Sequence, residues 1–439
     1  MKYLIYILLI TINSNFIFSY LKIPFKTFDS NKLSRINKLQ NNYIYINISL
    51  GFPNQYQSKI LLKQEKYHFH IYINSSYSYS KSQTYNAITK ESFDITNSLC
   101  KKGLYVNDIM YLNEIKYENT SFILCTQYYE VDSSYFDGQL GLNMGYEDKY
   151  DSNFIRILKS KNIINNYIFS LIYENDEEGI LLIGEYPHNI NLKNDLYNKY
   201  SSFEEENLNW MHAVKNEKNP RWSLTFDKIY YSNSELFQIQ RNCILSIENK
   251  FIISTFQYFN LVRDIFGKKC KNYQVDYNFQ YLSCDKDIDK EFTPEINFFN
   301  KELNITFTFD YNDLFVDDGD SLNFLVATYA DTDEGYWILG KPFFKKYLLL
   351  YNMDSKMVGF YKNKTPKITD NIETNGKKTF SFNTSIFINI LLFIIIIILS
   401  FALYHCYINK RRIRANELED KFNYIAKKDD NEIKEIYKN

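Results

Sequence analysis

Trp337-Ile338-Leu339-Gly340-Lys341-Pro342-Phe343-Phe344 and, far upstream, Phe136-Asp137-Gly138-Gln139-Leu140-Gly141-Leu142 are built around the same Leu-Gly pair. Each pair lies at a similar distance after an apolar strand: Cys243-Ile244-Leu245-Ser246 for the later one, Lys59-Ile60-Leu61-Leu62 for the earlier. This internal echo predicts two similarly built lobes, and 439 residues are enough for two substantial cores. Around the echo run many short β-rich stretches. Residues 43–50 end at the turn Gly51-Phe52-Pro53, and residues 67–73, 168–173, 179–184, 222–226, 305–309 and 357–361 repeat the theme. Helical periodicity is clear only in short pieces such as residues 152–160 and 252–266. The weight of strands predicts a mainly β fold.

Charge is balanced, 51 basic against 52 acidic residues, so no global field points to nucleic acid. Residues 1–19 join a short basic start to an apolar run too brief for a membrane span, the pattern of a signal peptide. Residues 386–408 are almost entirely apolar and long enough to cross a bilayer, and Lys410-Arg411-Arg412-Ile413-Arg414 follows at once. The expected order is therefore signal 1–19, extension or short propeptide 20–40, first lobe 41–212, second lobe 213–363, polar stalk 364–385, transmembrane helix 386–408 and cytoplasmic tail 409–439. The lobes would then face a lumen or the cell exterior, in the secretory or endolysosomal pathway or at the cell surface.

Asn47, Asn74, Asn119, Asn304, Asn363 and Asn383 each open an Asn-x-Ser/Thr sequon, as candidate glycosylation sites. Of the six cysteines, Cys406 falls at the inner membrane edge, leaving an odd five. Cys270 with Cys284 is the first candidate bridge, Cys100 with Cys125 the second, and Cys243 sits in an apolar strand as a buried thiol.

The ordered set Gly51-Phe52-Pro53-Asn54-Gln55, Phe136–Leu142, Trp337–Phe344, Asn352-Met353-Asp354 and Val358-Gly359-Phe360 resembles the pepsin-like aspartic peptidases over residues 40–362. The resemblance implies a bilobal β fold in which each lobe delivers an Asp-Thr/Ser-Gly triplet to a shared cleft. Two carboxylates at contact distance cannot both ionise, so they share a proton and bind one water. Carried across residue by residue, the first triplet falls on Leu62-Lys63-Gln64 and the second on Ser246-Ile247-Glu248. Neither keeps its acid, its hydroxyl or its glycine, and Leu62 and Ser246 stand where the aspartates belong. No Asp occurs between Asp29 and Asp94 to rescue the first lobe by a register shift. Glu65 and Glu248 are nearby carboxylates, but longer side chains on altered turns would not reproduce the shared-proton geometry. The strand Phe93-Asp94-Ile95-Thr96-Asn97-Ser98 resembles the approach to the flap, with Asn97-Ser98 where Tyr-Gly is expected.

Asp317-Asp318-Gly319-Asp320 looks like a catalytic loop in isolation, yet it stands only 22 residues before Leu339 (317 to 339) and has no partner in the first lobe. It is expected to be a solvated acidic turn. His68 and His70 alternate and so share a face, but no third ligand is placed to complete a metal site, and a surface pair is expected. No cofactor or metal is expected. Three readings follow: a membrane-anchored homologue without peptidase activity that binds a peptide or protein ligand, an active aspartic endopeptidase with atypical loops, and an adhesive or structural scaffold.

Overall fold

Strand Ile44–Leu50 buries Ile44, Ile46, Ile48 and Leu50 and leaves the residues between them partly exposed. A period of two is what a strand with one face on a core requires, and each such side chain contributes about 1.5–3 kcal/mol on burial. The computed structural model describes residues 20–361 except 29–39, 54–56, 74, 95–99, 129–134, 145–151, 191–203, 215–220, 232–233, 238–239, 276–277, 289–294 and 331–336, together with Tyr404, Tyr407, Asn409 and Asn416. Within these, the mainly β expectation holds: the strands form sheets of 14, 8 and 4 members.

The largest sheet belongs mostly to the first half of the chain. Its centre runs from Glu178–Ile183 through Leu21–Thr27, Ile44–Leu50, Ser58–Lys63, Gly138–Gly141 and Phe69–Tyr72 to the long hairpin Cys100–Leu112 with Ile115–Tyr128. Leu21–Thr27, in the segment read as an extension or propeptide, is an inner strand with Leu21, Ile23 and Phe25 buried. The second half supplies the eight-stranded sheet and the small sheet that includes Ile296–Asn300 and Ile305–Phe309. Its last hairpin, Leu349–Asn352 with Met357–Tyr361, crosses back and pairs with Ile168–Tyr173. There Phe169 stacks on Tyr351 at 4.7 Å, and Leu208–His212 adds a further strand on the far side of the hairpin. The described residues between 20 and 361 all belong to one compact unit.

Helix Phe154–Ser160 falls where periodicity placed it, its first turn capped by Asn153. The second expected helix is shorter than its pattern. Ile252–Ser254 is a strand parallel to Leu322–Tyr329, and the helix, Phe256–Phe266, starts after the Thr255 cap. The β-branched Ile252 and Ile253 suit the sheet better than a helix. Both expected disulfides are present, Cys100–Cys125 and Cys270–Cys284, and Cys243 is a buried free thiol whose pKa burial pushes up, keeping it protonated. The expected signal 1–19, flap tip 95–98, stalk 364–385 and nearly all of the membrane span 386–408 and tail 409–439 lie outside the described residues. Among the described residues no helix is long and apolar enough to cross a membrane.

The two Leu-Gly segments occupy matching places. Gly138–Gly141 runs parallel to Ser58–Lys63, and Trp337–Leu339 runs parallel to Arg241–Leu245. Backbone passes so close behind each glycine that no side chain fits. A Cβ on Gly141 would lie 2.6 Å from the Lys66 carbonyl oxygen, and one on Gly340 would lie 2.1 Å from that of Phe251 and 2.7 Å from that of Asn249. Gly141→Ala and Gly340→Ala are each expected to lower unfolding stability by more than about 3 kcal/mol in urea titrations. A loss below about 1 kcal/mol would mean that the crossing is not tight.

Candidate functional site

Where the two lobes meet, each contributes a short polar turn following an apolar strand. In the first lobe Leu62 pairs with Leu140 and Lys63 with Gly141. In the second, Leu245 pairs with Leu339, and the Ser246 N–H donates to the Leu339 carbonyl beside Gly340. The glycine contacts agree, Gly141 facing the carbonyl of Lys66 and Gly340 that of Asn249, three residues beyond Lys63 and Ser246 respectively. The counterpart of Ser246 is therefore Lys63, and the expected placement of the first triplet on Leu62 is corrected by one residue. Leu62 is 1% exposed and belongs to the core. The matching turns are Lys63-Gln64-Glu65 and Ser246-Ile247-Glu248.

These turns touch through equivalent residues. Buried Gln64 accepts the Ile247 N–H on its Oε1 at 3.0 Å. Asn42 braces the same joint, its N–H donating to the Glu248 carbonyl and its Nδ2 to the Ile247 carbonyl at 2.8 Å. Trp222 Nε1 donates to the Leu142 carbonyl at 2.8 Å, tying the second lobe to the first lobe's Leu-Gly segment. Above the joint lie the charges. Lys63 Nζ stands 3.1 Å from Glu248 Oε2, and Glu248 Oε1 accepts the Glu65 N–H at 3.2 Å. Both Glu248 oxygens are thus committed within the joint. Burial, and then the charge of Glu248, pushes the Glu65 carboxyl above its ordinary value, against the opposing pull of Arg221, Lys66 and Lys63. Ser246 is fully buried, and its hydroxyl accepts the Asn249 Nδ2 at 2.8 Å.

A sequence model of the eukaryotic aspartyl protease family matches residues 62–363. The chain belongs to the eukaryotic aspartyl protease family. No curated protein matches it. The family's chemistry needs two carboxylates that face each other across the lobe joint, share one proton and hold one water. This member has a lysine and a serine at the two matching positions. Its two glutamates follow two residues later, at Glu65 and Glu248, with a cation beside them.

The remaining expected features resolve separately. Asp317 ends strand Phe315–Asp317, accepts the Gly319 N–H at 2.8 Å and pairs with Lys286 at the surface. Asp318 folds back onto the N–H groups of Asp320 and Ser321, so the acidic stretch is a self-satisfied exposed turn. His68 Nδ1 lies 2.6 Å from Ser152 Oγ. His70 is wholly buried, which corrects the surface-pair expectation, because it lies on inner strand Phe69–Tyr72 opposite Gln139. Neither ring nitrogen of His70 nor the side-chain amide of buried Gln139 has a protein partner. Among the described residues no cluster of three or more His, Cys, Asp or Glu could hold a metal. The sequence reading missed Lys63 as a joint residue and the Gln64–Ile247 contact. The glutamate at the third position of both polar turns was the available signal.

Burial pushes the His70 imidazole down to about 3, from its ordinary 6.5. With its folded value depressed, His70 stays neutral in the fold while the unfolded chain takes up a proton. Stability is complete above pH 6.5 and is lost as pH falls from there toward 3, by up to ~1.4 kcal/mol per pH unit. His70→Phe should flatten that part of the stability profile in urea melts. An unchanged acid slope in the variant would show that His70 does not carry it.

Proposed function

We propose that this protein is a peptidase-fold binding protein: its interlobe cleft takes a peptide or protein ligand without cleaving it. The observation that carries the reading is the Lys63–Glu248 ion pair at the lobe joint. An ammonium group and a hydroxyl occupy the two places from which facing acids would act, so no proton can be shared between them. Removing one positioned acid or base ordinarily costs about 10²–10⁴ in rate. Replacing both, together with the water they hold, leaves no route for general acid–base attack. Glu65 and Glu248 favour a second reading, an endopeptidase that uses this glutamate pair, since the Glu65 carboxyl is raised beside a second carboxylate. Against it, the Glu248 oxygens already accept from Lys63 and from the Glu65 N–H, which leaves neither aimed at a shared water.

Full-length protein incubated with an unfolded protein substrate from acid to neutral pH is expected to give no cleavage that a pepstatin-type inhibitor blocks. A peptide library should be retained without turnover. Inhibitor-sensitive cleavage that disappears in Glu248→Gln would establish the glutamate-pair enzyme instead, and failure to retain any peptide would leave the fold as scaffold.

The proposal includes a membrane anchor at residues 386–408, with the lobes lumenal or extracellular. Two sequons suit that side. Asn119 and Asn304 are exposed, with φ of 52° and 50°, the left-handed region in which asparagine is enriched. Asn47 lies half-buried in strand Ile44–Leu50. Glycosidase treatment of the protein from a eukaryotic secretory host should shift its mobility, and the shift should shrink in Asn119→Gln and Asn304→Gln. An unshifted wild-type band would place these residues on the other side of the membrane.

A further inference from the structure

Far along the large sheet from the lobe joint, an open cavity of about 320 Å³ is lined by Tyr186, His188, Asn189, Glu205, Leu208 and Trp210. Three of its six lining residues, Tyr186, His188 and Trp210, carry aromatic rings. Tyr186 precedes the short turn Pro187–Asn189, and its ring stacks on His188 at 5.2 Å with 17° between planes. Trp210, on strand Leu208–His212, stands edge-on to Tyr186 at 6.4 Å and 82°. Tyr361 backs the His188 ring, and its hydroxyl lies 2.8 Å from His188 Nδ1. Gly359, paired with Trp210 in the sheet, lets that indole lie flat: an added Cβ would come within 2.9 Å of the ring.

Among the described residues the charged groups at this cavity are carboxylates. Glu185 is committed to the turn, its Oε1 accepting both the Tyr186 N–H and the Asn189 Nδ2. Glu205 opens the turn Glu205–Asn207 at the rim, and among the described residues it has no cationic partner. Burial holds the His188 imidazole below its ordinary value, against the pull of Glu205 and Glu185, so the ring presents a neutral face. Aromatic faces carry negative quadrupoles, and with a carboxylate beside them they attract a cation whose own hydration is weak. A volume near the lower end of ligand pockets suits a small head group.

We propose that this aromatic and acidic cavity is a binding site for a small alkylammonium cation of the choline type, with Tyr186 and Trp210 contacting the methyl groups and Glu205 supplying the opposite charge. The site is independent of the interlobe cleft and of any peptidase or peptide-binding role there. An ammonium with methyl substituents matches it better than a bare metal ion, because among the described residues the walls offer ring faces and a carboxylate without a cationic partner rather than several converging oxygens.

The test uses full-length protein in a non-ionic detergent, titrated with choline and followed by saturation transfer to the choline methyl protons and by calorimetry. Its neutral isostere, 3,3-dimethylbutan-1-ol, has the same shape without the charge. Choline is expected to bind with millimolar or better affinity and the isostere at least about fivefold more weakly. Trp210→Leu should weaken choline binding by about tenfold or more, and Glu205→Gln, an exposed change that leaves the fold intact by circular dichroism, by about fivefold. Glycerophosphocholine distinguishes the source. If it binds as choline does, the site accepts a lipid-type head group; if only choline binds, the ligand is a free cation. Equal binding of choline and its isostere would make the cavity an apolar hole. That result, or no choline binding to the wild-type protein, overturns the proposal.

Discussion

The lobe joint depends on one hydrogen bond between equivalent turns, Gln64 Oε1 to the Ile247 N–H. It is buried, so breaking it would strand a donor and an acceptor away from water, which costs more than the bond's net worth in solution. Everything above the joint inherits its position from that contact. Lys63 precedes Gln64 and Glu248 follows Ile247, so fixing the middle residues brings a cation and an anion from opposite lobes into reach. The pair is partly buried, with side chains 13% and 18% exposed, and each charge needs the other there.

The same joint explains how a member of a protease family retains the fold without the triplets. What the architecture requires of these loops is close backbone passage behind Gly141 and Gly340 and satisfied polar groups between lobes. An amide side chain does for the first turn what a hydroxyl does in the resemblance, and Asn42 supplies further donors to the second turn. Stability therefore places no demand for aspartate at Lys63 or Ser246. Only proton sharing between the two positions would.

Much of the architecture was legible in the chain. Alternation in segments such as Ile44–Leu50, the two Leu-Gly segments and both cysteine pairs are local patterns with physical causes, and each led to the element or bond found. The register of the first turn was not legible. Ile60-Leu61-Leu62 is an unbroken apolar run, fully buried, and nothing within it marks where the strand ends. Pairing with Gly141 decides that, and it moves the matching position from Leu62 to Lys63. His70 shows the same limit, since alternation put it on a face with His68 without saying that this face is wholly buried at His70.

The sequence by itself determined the strand-rich fold, its internal duplication and the missing acids, because side-chain periodicity and residue identity are properties of short segments. Only tertiary structure decided that Lys63 meets Glu248, that Glu65 is raised beside it, and that Tyr186, Trp210 and Glu205 enclose one cavity. Lys63 and Glu248 are 185 residues apart along the chain, and the cavity draws on separate elements. Their meeting depends on hydrogen-bond register between strands, where a slip of one position turns every side chain to the opposite face.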